Sequence, residues 1–152
     1  MMFEELYRYV VRRVEADRAF SRRRSRAREW ARICVKYGIF PRMLPHCRLD
    51  GGALIYDKRG RRRRIPLDPE DRERLESLGL PPPHAARAIS IHASSLLPAG
   101  LRIVDIKIIR QVLGLEPPST LTVDLAALKR INAAYRILLK PSPVARELRR
   151  PR

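Results

Sequence analysis

Apolar residues along the first forty positions recur at helical spacing near both ends and thin out between. Phe3, Tyr7, Val10 and Val14 repeat every three or four residues, with Leu6 and Val11 widening the stripe, which predicts an amphipathic helix. From Glu15 to Glu29 the apolar content falls to alanines and Phe20. Trp30, Ile33, Cys34 and Tyr37 then restore a face that ends at Gly38 and Pro41. The pattern predicts one helix of about 35 residues, roughly 50 Å long, or two helices joined near Ser21–Ser25. A loop over Pro41–Gly52 follows, closed by Asp50-Gly51-Gly52. The β-rich run Ala53–Tyr56, a turn over Asp57–Gly60 and a return over Arg61–Leu67 predict a β-hairpin. Asp68-Pro69-Glu70 opens a short helix, with Asp68 as N-cap and proline in the first turn, that runs to Gly79. Leu80 with Pro81, Pro82 and Pro83 reads as a stiff linker.

Beyond the linker the pattern predicts three more helices. His84–Leu97 is rich in Ala, Ile and Leu. Leu101–Leu113 places Leu101, Val104, Ile108 and Val112 on one stripe with Ile106, Ile109 and Leu113 beside it, and is stopped by Gly114 and Pro117-Pro118. The last is capped by Thr122, turns Leu125, Leu128, Ile131, Tyr135 and Leu138 inward and ends before Pro141. Three helices in about 55 residues bury little surface alone. Their wide apolar faces are expected to need a second copy or a relative to complete a bundle. The expected fold is therefore mainly α. A long basic N-terminal helical arm occupies 1–40. A loop, a small β-hairpin insertion, a short helix and the proline linker occupy 41–83. A C-terminal helical bundle with a basic tail, completed by a partner subunit, occupies 84–152.

Charge gives the arm a meaning. Lysine and arginine number 33 against 16 acidic residues, for a formal charge of +17 and a sequence pI near 11.3, which points to nucleic acid or another anionic surface. Only five of the cations are lysines. Arginine offers a planar fork of donors that suits phosphate. Seven arginines, Arg18, Arg22, Arg23, Arg24, Arg26, Arg28 and Arg32, fall between residues 18 and 32, with Arg12 and Arg13 before them and Lys36 after. On a helix Arg18, Arg22 and Arg26 form one stripe and Arg24, Arg28 and Arg32 another, with Arg23 between. A helix charged all round is expected to lie against an anion, a phosphate backbone above all, and not against its own core. These ten cations are the candidate DNA-binding residues. Arg61, Arg62, Arg63 and Arg64 alternate sides on a strand, so at most two share a face, and they are candidates for additional phosphate contacts.

Other chemistry is sparse. Cys34 and Cys47 form no CxxC pair and read as buried or idle thiols. His46, His84 and His92 are scattered, with His46-Cys47 the one suggestive pair. Most carboxylates stand beside arginines, as surface ion-pair partners do, and Ser94 and Ser95 have no nearby base. No GxxxxGK[ST] or GxGxxG phosphate cradle occurs. An enzyme is not expected, and no catalytic residue, metal ligand or cofactor is assigned. Tyr7, Tyr9, Phe20, Trp30 and Tyr37 have the chemistry to stack on bases, but their helical spacing favours core or interface positions. Zinc-finger, homeodomain and RNP signatures are missing, so base readout is not expected. No apolar run approaches a membrane span, and MMFEELYRYV lacks the basic head and apolar middle of a signal peptide. The expected setting is inside a cell, or a particle packed there.

Two resemblances follow from these residues. The segment GGALIYDKRGRRRRIPLDPEDRERLESLGLPPP, residues 51–83, resembles the late part of the CRISPR-associated RecB-like nucleases, in which a Gly-Tyr hairpin with a basic strand precedes a charged helix. That family's catalytic acids and Glu-x-Lys strand have no counterpart here, and its iron–sulfur cluster needs four cysteines where this chain has two. The resemblance therefore implies a relative without nuclease activity. The layout of the whole chain, a basic arm ending in REWARICVKYGIFPR before an apolar helical body, resembles the major capsid (nucleocapsid) proteins of filamentous archaeal viruses, the tristromavirus group best. That resemblance implies a virion subunit, assembled in the host cytoplasm. By that resemblance the subunit would pair as a homodimer, or as a heterodimer with a paralogous capsid subunit, and would wrap linear double-stranded DNA in A-form without sequence preference. The pairs would polymerise into a helical filament, with Arg18–Arg32 facing the DNA. The competing readings are a cellular chromatin-like or ribosome-associated protein, which would form finite complexes, and a residual nuclease, which would cleave DNA with a divalent metal.

Overall fold

The computed structural model describes residues 2–20, 25–118 and 124–139. Of the two layouts for the N-terminal region, it has the paired one. Helix α1 spans Met2–Phe20 and α2 spans Arg26–Tyr37. Ser25 caps α2 by accepting from the Arg28 amide at 3.2 Å, and Gly38 closes it in the left-handed conformation. The helices run antiparallel. The Tyr7 hydroxyl donates to the Lys36 carbonyl (3.1 Å) at one end, and Arg32 meets Asp17 (3.0 Å) towards the other. On α1 the stripe Leu6, Val10 and Val14 is buried as its spacing requires.

Helix α2 buries the apolar face that Trp30, Ile33, Cys34 and Tyr37 predict, and more than that face. Every residue from Glu29 to Tyr37 is buried, Arg32 and Lys36 included, so this segment is the centre of the core and these two cations do not lie on a bare charged face. Helices α4 (Ala86–Leu96) and α5 (Ile103–Val112) pack on it together with α1. Apolar residues from 1–40 and from 84–139 belong to one continuous core, so the proline linker is not a packing boundary between an arm and a body. The reason is the size of the apolar set on α2. Trp30, Ala31, Ile33, Cys34, Val35 and Tyr37 bury more surface than one weakly apolar face, and the charges among them are met by carboxylates.

A 3-10 turn over Pro41–His46 leads into a three-stranded antiparallel sheet, β1 (Cys47–Asp50), β2 (Ala53–Lys58) and β3 (Arg61–Pro66), in the order β1-β2-β3. The predicted hairpin is β2–β3, and β1 comes from the segment expected to be loop. Cys47, Leu54 and Ile65 turn the inner face to the core. Helix α3 (Pro69–Leu78) begins after Asp68 and ends at Gly79. The proline stretch then runs through a 3-10 turn (Pro83–Ala85) into α4. Helix α6 spans Leu125–Leu138, and its cap is Asp124, which accepts from the Ala127 amide at 2.7 Å. Thr122, read as that cap, lies outside the described residues.

The molecule is thus mainly helical with a small antiparallel sheet. The C-terminal helices find much of their apolar cover within the chain, since α1 packs on both α5 and α6. Leu125, read as inward, points out at the first position of α6 and is 67% exposed, and Val112, on the apolar stripe of α5, is 48% exposed. Ala127 and Ala134 take the inward places beside Ile131 and Tyr135. With Ile91 and Ile137 these exposed side chains hint at a surface for a partner. Among the described residues no helix is long and apolar enough to cross a membrane.

Gly38 joins α2 to α5. Its φ is +65°, and a Cβ placed on it would lie 2.5 Å from the Lys107 amide nitrogen and 2.7 Å from the Lys107 Cα. Gly38→Ala is expected to cost about 2–5 kcal/mol, from left-handed strain plus overpacking against a helix backbone. Gly60→Ala, at a φ of +82° but facing open space, should cost only about 1–2 kcal/mol. Urea unfolding of the two variants against the parent protein measures the difference.

Candidate nucleic-acid interface

The cations of the N-terminal stretch divide into two groups. Arg18, Arg32 and Lys36 are internal. Glu29, Arg32 and Lys36 lie three and four residues apart and share one stripe of α2. Arg32 is 0% exposed, with Glu29 at 2.8 Å and Asp17 at 3.0 Å. Glu29 also meets Arg74 of α3 at 3.4 Å. Asp71 of α3 is fully buried, receives Lys36 Nζ at 2.8 Å and Arg18 at 3.2 Å, and accepts from the Tyr37 hydroxyl. The same Lys36 ammonium reaches Asp68 at 2.8 Å, and the Tyr37 oxygen accepts from the Asp68 amide at 2.9 Å. Burial alone would raise the Asp71 pKa, but the Lys36 and Tyr37 hydrogen bonds and the Lys36 and Arg18 charges hold its carboxyl below the ordinary value. For Lys36, burial pulls the other way and the bonds to Asp68 and Asp71 outweigh it, leaving the ammonium pKa raised. Arg18, Arg32 and Lys36 are therefore committed to carboxylates and are not placed to meet phosphate.

A second buried cluster takes one of the hairpin arginines. Arg63 donates to Glu116 at 2.8 and 3.0 Å and to the carbonyls of Gly38 (2.9 Å) and Tyr37 (3.2 Å), the last of α2. A guanidinium there satisfies orphan carbonyls and faces the negative end of the helix dipole. Arg110 approaches Glu116 at 3.5 Å, donates to the Tyr7 hydroxyl and lies 4.8 Å from the Tyr37 ring centroid. Trp30 is buried and donates to the Gly79 carbonyl at 3.1 Å, so it holds the end of α3. Trp30, Tyr37 and Tyr7 are thus core or part-buried residues, as their spacing favoured. Both thiols are buried, and burial pushes Cys47 up to about 12 and Cys34 higher still. Among the described residues no three His, Cys, Asp or Glu side chains gather as metal ligands would.

The remaining cations are at the surface. Arg12 and Arg13 are exposed on α1, and Arg26 and Arg28 on the first turn of α2, where Arg26 also donates to the Leu78 carbonyl. Arg22, Arg23 and Arg24 lie outside the described residues. The most ordered set is on the sheet. Register pairs Arg48 with Ile55 and Ile55 with Arg64, and pairs Asp57 with Arg62, so these five side chains share the outer face. Tyr56 and Arg63 belong to the inner one. The four arginines Arg61–Arg64 thus split by strand alternation, and Arg63 is drawn inward with Ile65. Ile55 lies between Arg48 and Arg64 on this face and is only 6% exposed. Arg48, in the strand the sequence reading missed, completes the row.

The hairpin tip extends this surface. Arg59 and Gly60 form its two-residue loop, with φ of +50° and +82°. That matches a type I′ turn, whose twist suits a hairpin. Arg59 is the only non-glycine residue at positive φ among the described residues. The first loop position of such a turn favours Asn, Asp or Gly, and an arginine there costs about 1–2 kcal/mol. Lys58, Arg59, Arg61 and Arg62 are all exposed. Tip and outer face together carry six cations, Arg48, Lys58, Arg59, Arg61, Arg62 and Arg64, against two carboxylates, Asp50 and Asp57.

Because Asp71 holds its proton less tightly when folded, its contribution to stability is complete above the ordinary value of 3.8 and is lost as pH falls below it. Asp71→Asn should destabilise the protein by about 3–5 kcal/mol at neutral pH, leaving buried cations without their partner. It should also flatten the acid limb of the stability–pH curve, which chemical denaturation across that range measures. A scan against protein-family models finds none that matches, and searches of curated proteins and of solved structures find no match either.

Proposed function

We propose that this protein is a non-enzymatic nucleic-acid-binding protein that holds the phosphate backbone of double-stranded DNA, without sequence preference, on the outer face and tip of its β-sheet. The observation that carries the reading is the row of Arg48, Arg62 and Arg64 on one sheet face, continued by Lys58, Arg59 and Arg61 at the tip. A strained turn spent on a cation supports it, since such strain clusters at functional positions. The arginines Arg48, Arg62 and Arg64 suit bidentate phosphate contacts, and a basic face of this kind positions a protein on a duplex without reading bases. Arg12, Arg13, Arg26 and Arg28 add positive surface elsewhere.

The finer reading is a capsid subunit that coats linear duplex DNA and polymerises into a filament. Support for assembly comes from the exposed Ile91, Val112, Leu125 and Ile137, which offer apolar surface to a second copy or a paralogue. In this fold the subunit would seat a sheet on the duplex and not wrap it with α2. Electron microscopy of the protein with linear duplex should then find regular filaments, and discrete particles would favour a cellular binding protein.

The interface has its own test. The triple variant Arg48→Gln, Arg62→Gln, Arg64→Gln should weaken binding to unrelated duplexes equally. It should make the slope of log affinity against log salt shallower by roughly 2.7, about 0.9 for each phosphate contact removed. Fluorescence anisotropy over a salt series reads both quantities. An unchanged slope would take the sheet out of the interface.

A further inference from the structure

Where the turn after α2 meets the loop between α4 and α5, the surface opens into a cleft of about 590 Å³, a size that suits a small organic ligand. Leu97 and neighbouring apolar side chains line it, and Phe40, Arg42, Ser90, Ser94 and Arg102 supply its rings and polar groups. Among the described residues its lining carries two guanidiniums and no carboxylate. Asp105, the nearest acid in sequence, is fully buried and engaged elsewhere, accepting from the Arg102 amide at 2.9 Å and pairing with Arg130 at 3.0 Å. The exposed Arg42 guanidinium lies over the Phe40 ring, 4.6 Å from its centroid, so a flat cation is paired with an aromatic ring at the cleft. Ser94 donates to the Ser90 carbonyl at 3.0 Å, and the Ser90 hydroxyl makes no hydrogen bond among the described residues.

We infer that this cleft holds one unpaired nucleotide of a nucleic-acid strand, its base on the Arg42–Phe40 stack and its phosphate toward Arg102. A planar ring with a negative substituent fits both halves of the lining. A base stacks on a guanidinium whatever its identity, and a phosphate is matched by the arginine fork. The turn that carries Arg42 runs directly into β1, so the cleft and the basic sheet face are joined by Pro41–His46. The inference rests on the nucleic-acid reading and extends it from duplex backbone to strand ends or single-stranded segments.

The test uses the full chain and three DNAs: a blunt duplex, the same duplex with a short single-stranded overhang carrying 2-aminopurine, and the overhang strand alone. The overhang should raise affinity roughly ten-fold over the blunt duplex and quench 2-aminopurine on binding. Arg42→Ala should abolish the quench and Arg102→Ala the affinity gain, while both bind blunt duplex like the parent protein. Equal affinity for blunt and overhanging duplexes without quenching overturns the cleft and leaves the sheet interface standing. Quenching that persists in Arg42→Ala overturns it as well. Quenching on the single strand with no binding of blunt duplex would keep the cleft and remove the duplex interface.

Discussion

Asp71 is a carboxylate out of reach of water, and helices α1, α2 and α3 meet at its two oxygens. A charge in that position is tolerable only when it is neutralised and its lone pairs are filled. Arg18, Lys36 and Tyr37 do both. Helix α3 depends on this arrangement more than the other helices do, because Leu75 is its one fully buried apolar side chain. It is anchored at its start by Asp71 and at its end by the Trp30 indole on Gly79. The α1–α2 hairpin depends on it too, since Arg18 and Lys36 stand on different helices and would repel without the acid between them. A strongly basic chain has few carboxylates to use inside, and here several of them are spent on fixing helices.

That use of charge explains what the sequence disclosed and what it hid. The α1 stripe, the β2–β3 hairpin and the start of α3 were legible because each has a periodic or capping signal, whereas the pattern left one long helix and two helices joined near Ser21–Ser25 as alternatives. Strand β1 was legible in principle. Cys47 and Leu49 alternate with Arg48 and Asp50, and Gly51-Gly52 then separates this run from Ala53-Leu54-Ile55-Tyr56, a two-residue hairpin signal. The short run and its arginine made it look like loop. The burial of the charged positions of α2 was not legible from polarity. Arg32 and Lys36 have no apolar character, and what takes them inward is the placement of Asp17, Glu29, Asp68 and Asp71, three of them remote in sequence from α2. Ion pairing across 35 residues leaves no periodic trace.

The same limit applies to the candidate interface. A count of arginines pointed at residues 18–32, yet Arg18 of α1 and Arg32 of α2 give their charge to internal carboxylates. Strand alternation was the better guide, because it assigns faces without reference to distant partners. It separated Arg62 and Arg64 from Arg63, and the structure pairs Arg63 with Glu116, more than 50 residues away. Net charge forecasts the kind of partner, and the arrangement of the acids decides which cations remain for it.

A phosphate-binding sheet has consequences that a helical arm would not. Hydrogen bonds hold neighbouring strands about 4.8 Å apart, so Arg48 and Arg64, on either side of Ile55, keep a set spacing before any ligand arrives. A free helix with arginines all round has to order both itself and its side chains on binding. The preformed row therefore loses less entropy on contact, while reading nothing but the backbone. The internal network contributes to this as well. Arg63 ties β3 to the end of α2 and to Glu116, and so ties the row to the rigid centre of the fold. The cations that do not touch phosphate are then what hold steady the ones proposed to do so.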